Sequence, residues 1–198
     1  WTERNSIKDM ILPIYVYGSD VLRAKSKEVD IESVDREAFG KFIDDMFETM
    51  KNADGVGLAA PQVGKDIQCV MVDGRDIADS YPYLKEFFRV MINPVVLEES
   101  EETSTYSEGC LSIPDINCDI IRPKKIKVEF YDRNFEKQVE EFDDFAARMV
   151  QHELDHLKGV MFVDKAAPIR KKMISSKLHN ISKGKVGAHY KIKLEKAK

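Results

Sequence analysis

Histidine, cysteine and tryptophan are scarce in this 198-residue chain, at four, three and one. Three cysteines (Cys69, Cys110, Cys118) are too few, and odd in number, for a disulfide framework; they read as reduced thiols of a cytosol. Long apolar runs are missing as well, and nothing approaches the roughly 18 residues that span a bilayer. The longest early stretch, 10–17 (MILPIYVY), follows mixed charges and lacks the basic flank and small-residue cleavage site of a secretory signal. A cytoplasmic protein without a membrane partner is expected. The chain opens on Trp1, so Met10 is the expected native start and residues 1–9 an extension or tag remnant. Repeats and low-complexity tracts are also lacking.

Charge is present but unevenly spread. The formal net charge of −4 hides a stretch, 165–198, with eleven basic groups against Glu195 alone, a local charge of +10. The first 164 residues therefore carry −14. An acidic body excludes nucleic-acid binding over the whole surface, and no sequence-specific nucleic-acid partner is expected. With 43% hydrophobic and 33% charged residues the chain is neither disordered nor membrane-embedded. The expected organisation is one catalytic domain, 1–164, with a basic C-terminal extension, 165–198. A domain of this size buries roughly 70% of its unfolded surface. It needs no metal for stability, so a metal site here would serve chemistry.

Residues 33–51 read as an amphipathic helix capped by Ser33 or Asp35, with Val34, Ala38, Phe42, Met46 and Met50 on its apolar stripe. A glycine-rich loop, 55–64 (GVGLAAPQVG), follows. Strand-like runs occupy 67–72, 90–99 and 125–132, and the segment 106–114 (YSEGCLSIP) between the last two reads as irregular. Asp143 or Asp144 can cap a second helix running to Gly159. The order predicts an α+β fold, with short antiparallel sheets packed around a central helix.

That second helix holds His152-Glu153-Leu154-Asp155-His156, an H-E-x-x-H pattern using two of the four histidines. Residues i and i+4 share a helix face, so both imidazoles can reach one metal with the glutamate beside them. On a helical wheel, Phe145, Ala146, Met149, Val150 and Leu157 form an apolar arc that includes His152, Glu153 and His156. Arg148, Gln151, Asp155 and Lys158 take the opposite face. Two core histidines satisfied by neighbours would be the plainer reading. Burying three ionisable groups together, however, costs several kcal/mol unless a cation compensates. Phe162 stands where a third histidine ligand of one protease class would be, and no thermolysin-type glutamate follows. Asp164 is a weaker third ligand, and a thiolate upstream is the better one. Cys69 lies in an apolar run and Cys118 has no companion motif, which favours Cys110, between Gly109 and Leu111.

The loop 55–64 formally fits a dinucleotide fingerprint, but a helix precedes it and Pro61 and Gly64 interrupt what should be a helix. It reads better as a substrate-edge loop, its glycines admitting a peptide backbone and Gln62 offering an amide donor.

Taken in order, GVGLAAPQVG (55–64), EGCLSIP (108–114) and QHELDHLKG (151–159) resemble the three signature motifs of the peptide deformylases. The resemblance extends from about Ile11 to Val163. It implies removal of the formyl group from N-formylmethionine on nascent peptides. It implies Cys110, His152 and His156 as metal ligands, Glu153 as general base and then acid, and Gln62 and the Leu111 backbone N–H as oxyanion donors. Val56, Gly57, Glu108, Gly109, Ile113 and Met149 are expected against the substrate. Asn117 departs from the family's pattern, where an arginine often stands. The implied cellular metal is Fe²⁺, with Zn²⁺, Ni²⁺ or Co²⁺ able to replace it. The competing readings are an H-E-x-x-H zinc endopeptidase and a non-catalytic, ribosome-associated metal-binding module. Since the implied substrate emerges from a ribosome with an anionic RNA surface, residues 165–198 are expected either to contact it or to remain a solvated end.

Overall fold

A computed structural model describes residues 10–198 of the chain; the expectation for residues 1–9 lies outside the described residues. In order, the elements are β1 (Ile14–Tyr15), α1 (Arg36–Asn52), β2 (Gly57–Ala59), β3 (Cys69–Asp73), β4 (Phe88–Glu99), β5 (Thr103–Cys110), β6 (Ile113–Pro123), β7 (Lys125–Tyr131), β8 (Lys137–Asp143), α2 (Asp144–His156), α3 (Pro168–Ser182) and β9 (Ile192–Lys193). Five strands form an antiparallel sheet ordered β2-β3-β4-β7-β8. β5 and β6 form a separate antiparallel hairpin, while β1 and β9 pair in parallel. The fold is α+β, and its small sheets are antiparallel apart from that parallel terminal pair.

β3 shows how the sheet is held. All five of its residues are buried, because both faces are covered. Successive side chains alternate between faces. Val70 and Val72 therefore join the cluster containing Val150 and Leu154 of α2, whereas Cys69 and Met71 join the one containing Ile43 and Met46 of α1. β7 has only one covered face: Ile126, Val128 and Phe130 point toward α2, and Lys125, Lys127 and Glu129 alternate with them. Across the sheet from α1, α2 is enclosed by β2, β3, β7 and β8.

Four sequence expectations change. Asp35 caps α1 through the Ala38 N–H, but the buried stripe is Phe39, Ile43, Met46, Thr49 and Met50; Ala38 is exposed and Phe42 half-buried. The 106–114 segment is mostly strand, folded as the β5–β6 hairpin with an irregular register between Glu108 and Cys110. Asp143 occupies the α2 N-cap position without a side-chain cap bond, while Asp144 accepts a hydrogen bond from the Tyr106 hydroxyl at 2.6 Å. Arg148 and Gln151 are buried at 3% and 8% exposure, against the wheel, because α2 has neighbours on every side. The lysine-rich end is folded too. Ile174 and Ile181 of α3 enter a third cluster with Ile116, Cys118 and Ile120 of β6.

Asp73 ties β3 to α1. Its side chain is fully buried, 2.9 Å from Lys51 Nζ and 2.8 Å from Arg75 Nη2. Burial alone would raise its pKa, but hydrogen bonds from Arg75 and Lys51 outweigh it and lower the pKa to about 2. A depressed carboxylate stabilises the fold above its unfolded pKa and loses that contribution as pH falls through the folded value. Asp73 should therefore contribute about 2 kcal/mol near neutrality, lost between about pH 4 and 2. Urea unfolding across that range should show the wild type losing more stability than Asp73→Asn by this amount. Parallel pH profiles would remove Asp73 from the acid response.

Candidate active site

His152 and His156 lie one turn apart on α2, their ring centroids 5.3 Å apart. The β5–β6 turn brings Cys110 to the same place, with Sγ 3.4 Å from His156 Nε2. One ligand atom from each of Cys110, His152 and His156 lies within 4.8 Å of the other two. Asp164, the weaker expected ligand, is elsewhere: it pairs with Arg23 through contacts of 2.6 and 3.1 Å.

The residues around the three suit a divalent cation. Sulfur and two imidazole nitrogens are donors that Zn²⁺ and neighbouring transition metals accept. His152 Nδ1 is 2.9 Å from Glu108 Oε1, and a carboxylate there fixes the proton on Nδ1 and frees the other ring nitrogen. Glu153 Oε2 is buried with no protein partner. Unpaired polar atoms inside a protein call for a compensating group. Burial raises the Glu153 pKa to about 7, with the His152 charge opposing the rise. Burial also lowers that of His156.

Glu108 is enclosed more thoroughly than its place in the motif suggested. Arg122 donates to both of its oxygens, at 2.7 and 2.8 Å, and Arg148 donates to Oε2 at 2.6 Å. Burial would raise its pKa, but hydrogen bonds from Arg122 and His152 hold the carboxyl well below the usual range. Arg122 extends the network to Asp155 at 2.6 Å. Sequence reasoning missed Arg122, although the signal was there: it follows Ile116, Cys118 and Ile120 at period two on the buried face of β6.

Gln62 is buried on a short helical turn after β2. Its carbonyl oxygen accepts from Ala59 N–H at 2.9 Å, which turns the amide nitrogen toward Ser112 Oγ (3.1 Å) and Cys110 Sγ (3.4 Å). β2 passes so close to α2 that a Cβ at Gly57 would lie 2.6 Å from Glu153 Oε1. A side chain there would displace the Glu153 carboxylate.

These groups open onto a cleft of about 770 Å³. Val56, Gly57, Gln62, Glu108, Gly109, Cys110, Leu111, Met149, His152 and Glu153 line it. Ile113 does not; it is buried with Ile116 and Val16 in the cluster beneath β6, the positive φ of Asp115 between them breaking the strand's alternation. Phe145 and the C-terminal stretch 187–190 also line the cleft, and neither was expected. Phe145 stacks on Tyr81 with centroids 4.3 Å apart.

Arg122→Ala should leave Glu108 short of two charge-assisted bonds in the interior, destabilising the fold by about 3 kcal/mol in chemical denaturation. A loss below about 0.5 kcal/mol, the range of ordinary surface changes, would show that Arg148 and His152 alone satisfy the carboxylate.

Comparison with known proteins gives the family. The family described as polypeptide deformylase matches residues 11–172. The peptide deformylase of Christiangramia forsetii is 43% identical over 196 residues, covering 96% of this chain and 98% of that protein. That of Cytophaga hutchinsonii is also 43% identical, over 93% and 97%. Among solved structures, the Thermotoga maritima peptide deformylase superposes with a TM-score of 0.70 at 40% identity, covering 80% of this chain and 99% of its own. The plant peptide deformylase PDF1B reaches 0.78 at 33% identity, over 87% and 90%. The chain belongs to the peptide deformylase family, metal-dependent hydrolases that remove the formyl group from the N-terminal formylmethionine of nascent proteins.

Proposed function

We propose that Cys110, His152 and His156 hold the metal of this deformylase and that Glu153, Gln62 and Leu111 carry out the chemistry around it. The observation that supports this most is the convergence of the three donor atoms at the wall of one cleft, which Cys110, His152, Glu153 with its unpaired oxygen and the aimed Gln62 amide line. Bound by the three, a divalent cation supplies Lewis acidity, polarising the formyl carbonyl and lowering the pKa of a water molecule toward 7. Fe²⁺ is the proposed cellular ion, following the family resemblance. A thiolate–imidazole set binds Zn²⁺ more tightly by the usual affinity order, so Zn²⁺, Ni²⁺ or Co²⁺ can take its place.

Glu153 accepts a proton from the attacking water and returns one to the departing amine, so the C–N bond breaks to give formate and a free N-terminus. Gln62 Nε2 and the Leu111 N–H donate to the oxygen on which charge develops, contributing about 3 kcal/mol each. The edge position of β2 leaves its outer side to pair with an extended peptide, with Gly57 admitting the approach. Val56 and Met149 supply apolar surface for the methionine side chain. Glu108 serves this site by orienting His152.

The decisive experiment is anaerobic purification, with metal analysis and a formyl-Met-peptide assay on one sample. Equimolar iron with deformylation is expected; cleavage of internal bonds without deformylation would overturn the reading. Glu153→Gln should keep its metal and lose at least about a hundredfold in turnover. Cys110→Ala should lose metal, and a fully metallated Cys110→Ala protein would refute its place as ligand.

The cytoplasm is the proposed compartment, and no helix among the described residues is long and apolar enough to cross a membrane. We further propose that residues 165–198 act as a basic extension of the catalytic domain and contact ribosomal RNA. Lys171, Lys172 and Lys177 of α3 are exposed while Ile174 faces inward, so their charge is available to an anionic surface. Co-sedimentation with ribosomes should weaken steeply between about 50 and 200 mM salt, and weaken further when the three lysines become glutamates. Binding unchanged by that substitution would leave the end solvated only.

A further inference from the structure

Gln62 follows β2 and Ser112 sits in the turn between β5 and β6, yet the two side chains meet in the interior. They are 1% and 0% exposed, and Gln62 Nε2 lies 3.1 Å from Ser112 Oγ. The backbone fixes which end of the amide is which. The Ala59 N–H can only donate, so the atom 2.9 Å from it is the Gln62 oxygen and the nitrogen faces the other way. That nitrogen carries two hydrogens and has two neighbours, Ser112 Oγ and, at 3.4 Å, Cys110 Sγ. The serine takes one hydrogen and leaves the second for the side on which the three donor atoms lie. Ser112 is itself held in place. Its carbonyl accepts from the Tyr17 N–H at 2.8 Å, and the Leu111 carbonyl accepts from the Tyr190 hydroxyl at 2.6 Å. The segments carrying these tyrosines pair in parallel, through Ile14 N–H to the Lys191 oxygen and Val16 N–H to the Lys193 oxygen, each at 2.9 Å. The turn is thus fastened from both ends of the chain.

We infer that Ser112 is a positioning residue for deformylation: its hydroxyl oxygen holds one N–H of Gln62, so that the other is aimed at the oxygen on which charge develops. The inference rests on the oxyanion role proposed for Gln62. An amide anchored at its oxygen alone can swing about that one hydrogen bond. A second bond, at the nitrogen, sets the amide plane before substrate arrives, as an oxyanion donor requires. The Cys110 sulfur is the poorer anchor, being a weak acceptor at the longer distance. The hydrogen facing it is therefore the one free to turn to a stronger acceptor. Ser112 does not line the cleft, so it acts only through Gln62, which does.

The test uses the full metal-loaded chain. Ser112→Ala should keep the metal content of the wild type and lower kcat about fivefold, the worth of one neutral hydrogen bond. KM for a formyl-Met peptide should stay within about twofold, because a transition-state donor is being misaimed and substrate binding is intact. A double-mutant cycle separates aiming from packing. Gln62→Met fills similar space with no donor, and in that background Ser112→Ala should cost less than about twofold more. In the Zn²⁺-loaded chain, the Gln62 side-chain NH₂ signals of Ser112→Ala should shift in a ¹⁵N spectrum and exchange faster. Equal losses of kcat in both backgrounds would overturn the positioning role, as would loss of metal from Ser112→Ala or wild-type kcat with unmoved Gln62 signals. A Gln62→Met enzyme with wild-type kcat, or a wild type that fails to deformylate, would instead bring down the underlying reading, and with it this one.

Discussion

A buried carboxylate sets the terms for this candidate site. Glu108 sits at 6% exposure, where an unpartnered charge would be neutralised by proton uptake. It stays ionised because each oxygen takes two hydrogen bonds: Oε1 from Arg122 and His152, Oε2 from Arg122 and Arg148. Those partners lie on β6 and α2, so the charge can be satisfied only when the hairpin and the helix meet in one arrangement. Arg148 reinforces this by donating to the Ile120 and Ser104 carbonyls, one on each hairpin strand. A network of this kind adds little net stability over an apolar core, but it penalises every misregistered alternative heavily.

From that constraint the site's geometry follows in steps. With Nδ1 committed to Glu108, His152 keeps one tautomer and one ring orientation, and its remaining nitrogen faces Cys110 and His156. Cys110 stands two residues from Glu108 on the same strand, so the contact that orients the histidine also sets the depth of the thiol. The other wall is built independently. β3 is buried on both faces, and it places β2 and Gln62 over α2 without any polar contact to the Glu108 network. The cleft is the seam between a sheet fixed by apolar packing and a hairpin fixed by charge.

This division explains what was legible in the sequence. The proposed donors and Glu153 stood out because histidine and cysteine are rare here and the H-E-x-x-H spacing has a helical meaning that needs no tertiary context. β3 and β7 were legible because their apolar pattern is local. The β5–β6 hairpin was hidden because β5 is exposed at half of its positions and buried at only one, Glu108, and because Gly109 and Pro114 suggest a loop; its pairing depends on the other strand and α2. Arg148 and Gln151 were misplaced for a related reason. A helical wheel assumes that polar means solvent, and in a central helix polar residues face inward when a partner waits, as the Pro123 carbonyl does for Gln151 at 2.9 Å. Ile113 was taken for a pocket wall because it adjoins the motif, yet the left-handed backbone at Asp115 breaks the alternation of β6 and lets Ile113 share the buried side with Ile116.

The C-terminal end was read by its charge, and charge describes only its outer surface. Lysines alternate with residues that point the other way: Ile174 and Ile181 toward β6, Ile192 and Leu194 toward the same cluster, Tyr190 toward the cleft. No periodicity signals the two-residue β9, because a parallel pair with β1 spans nearly the whole chain and depends on α3 delivering it. Long-range pairing of this kind carries a loop-closure cost that local contacts do not. The packing of α3 on β6 through Ile174 and Ile181 offsets that cost and carries the chain back to β1. The turn that presents Leu111 and the strand that holds it therefore belong to one unit, although some eighty residues separate them.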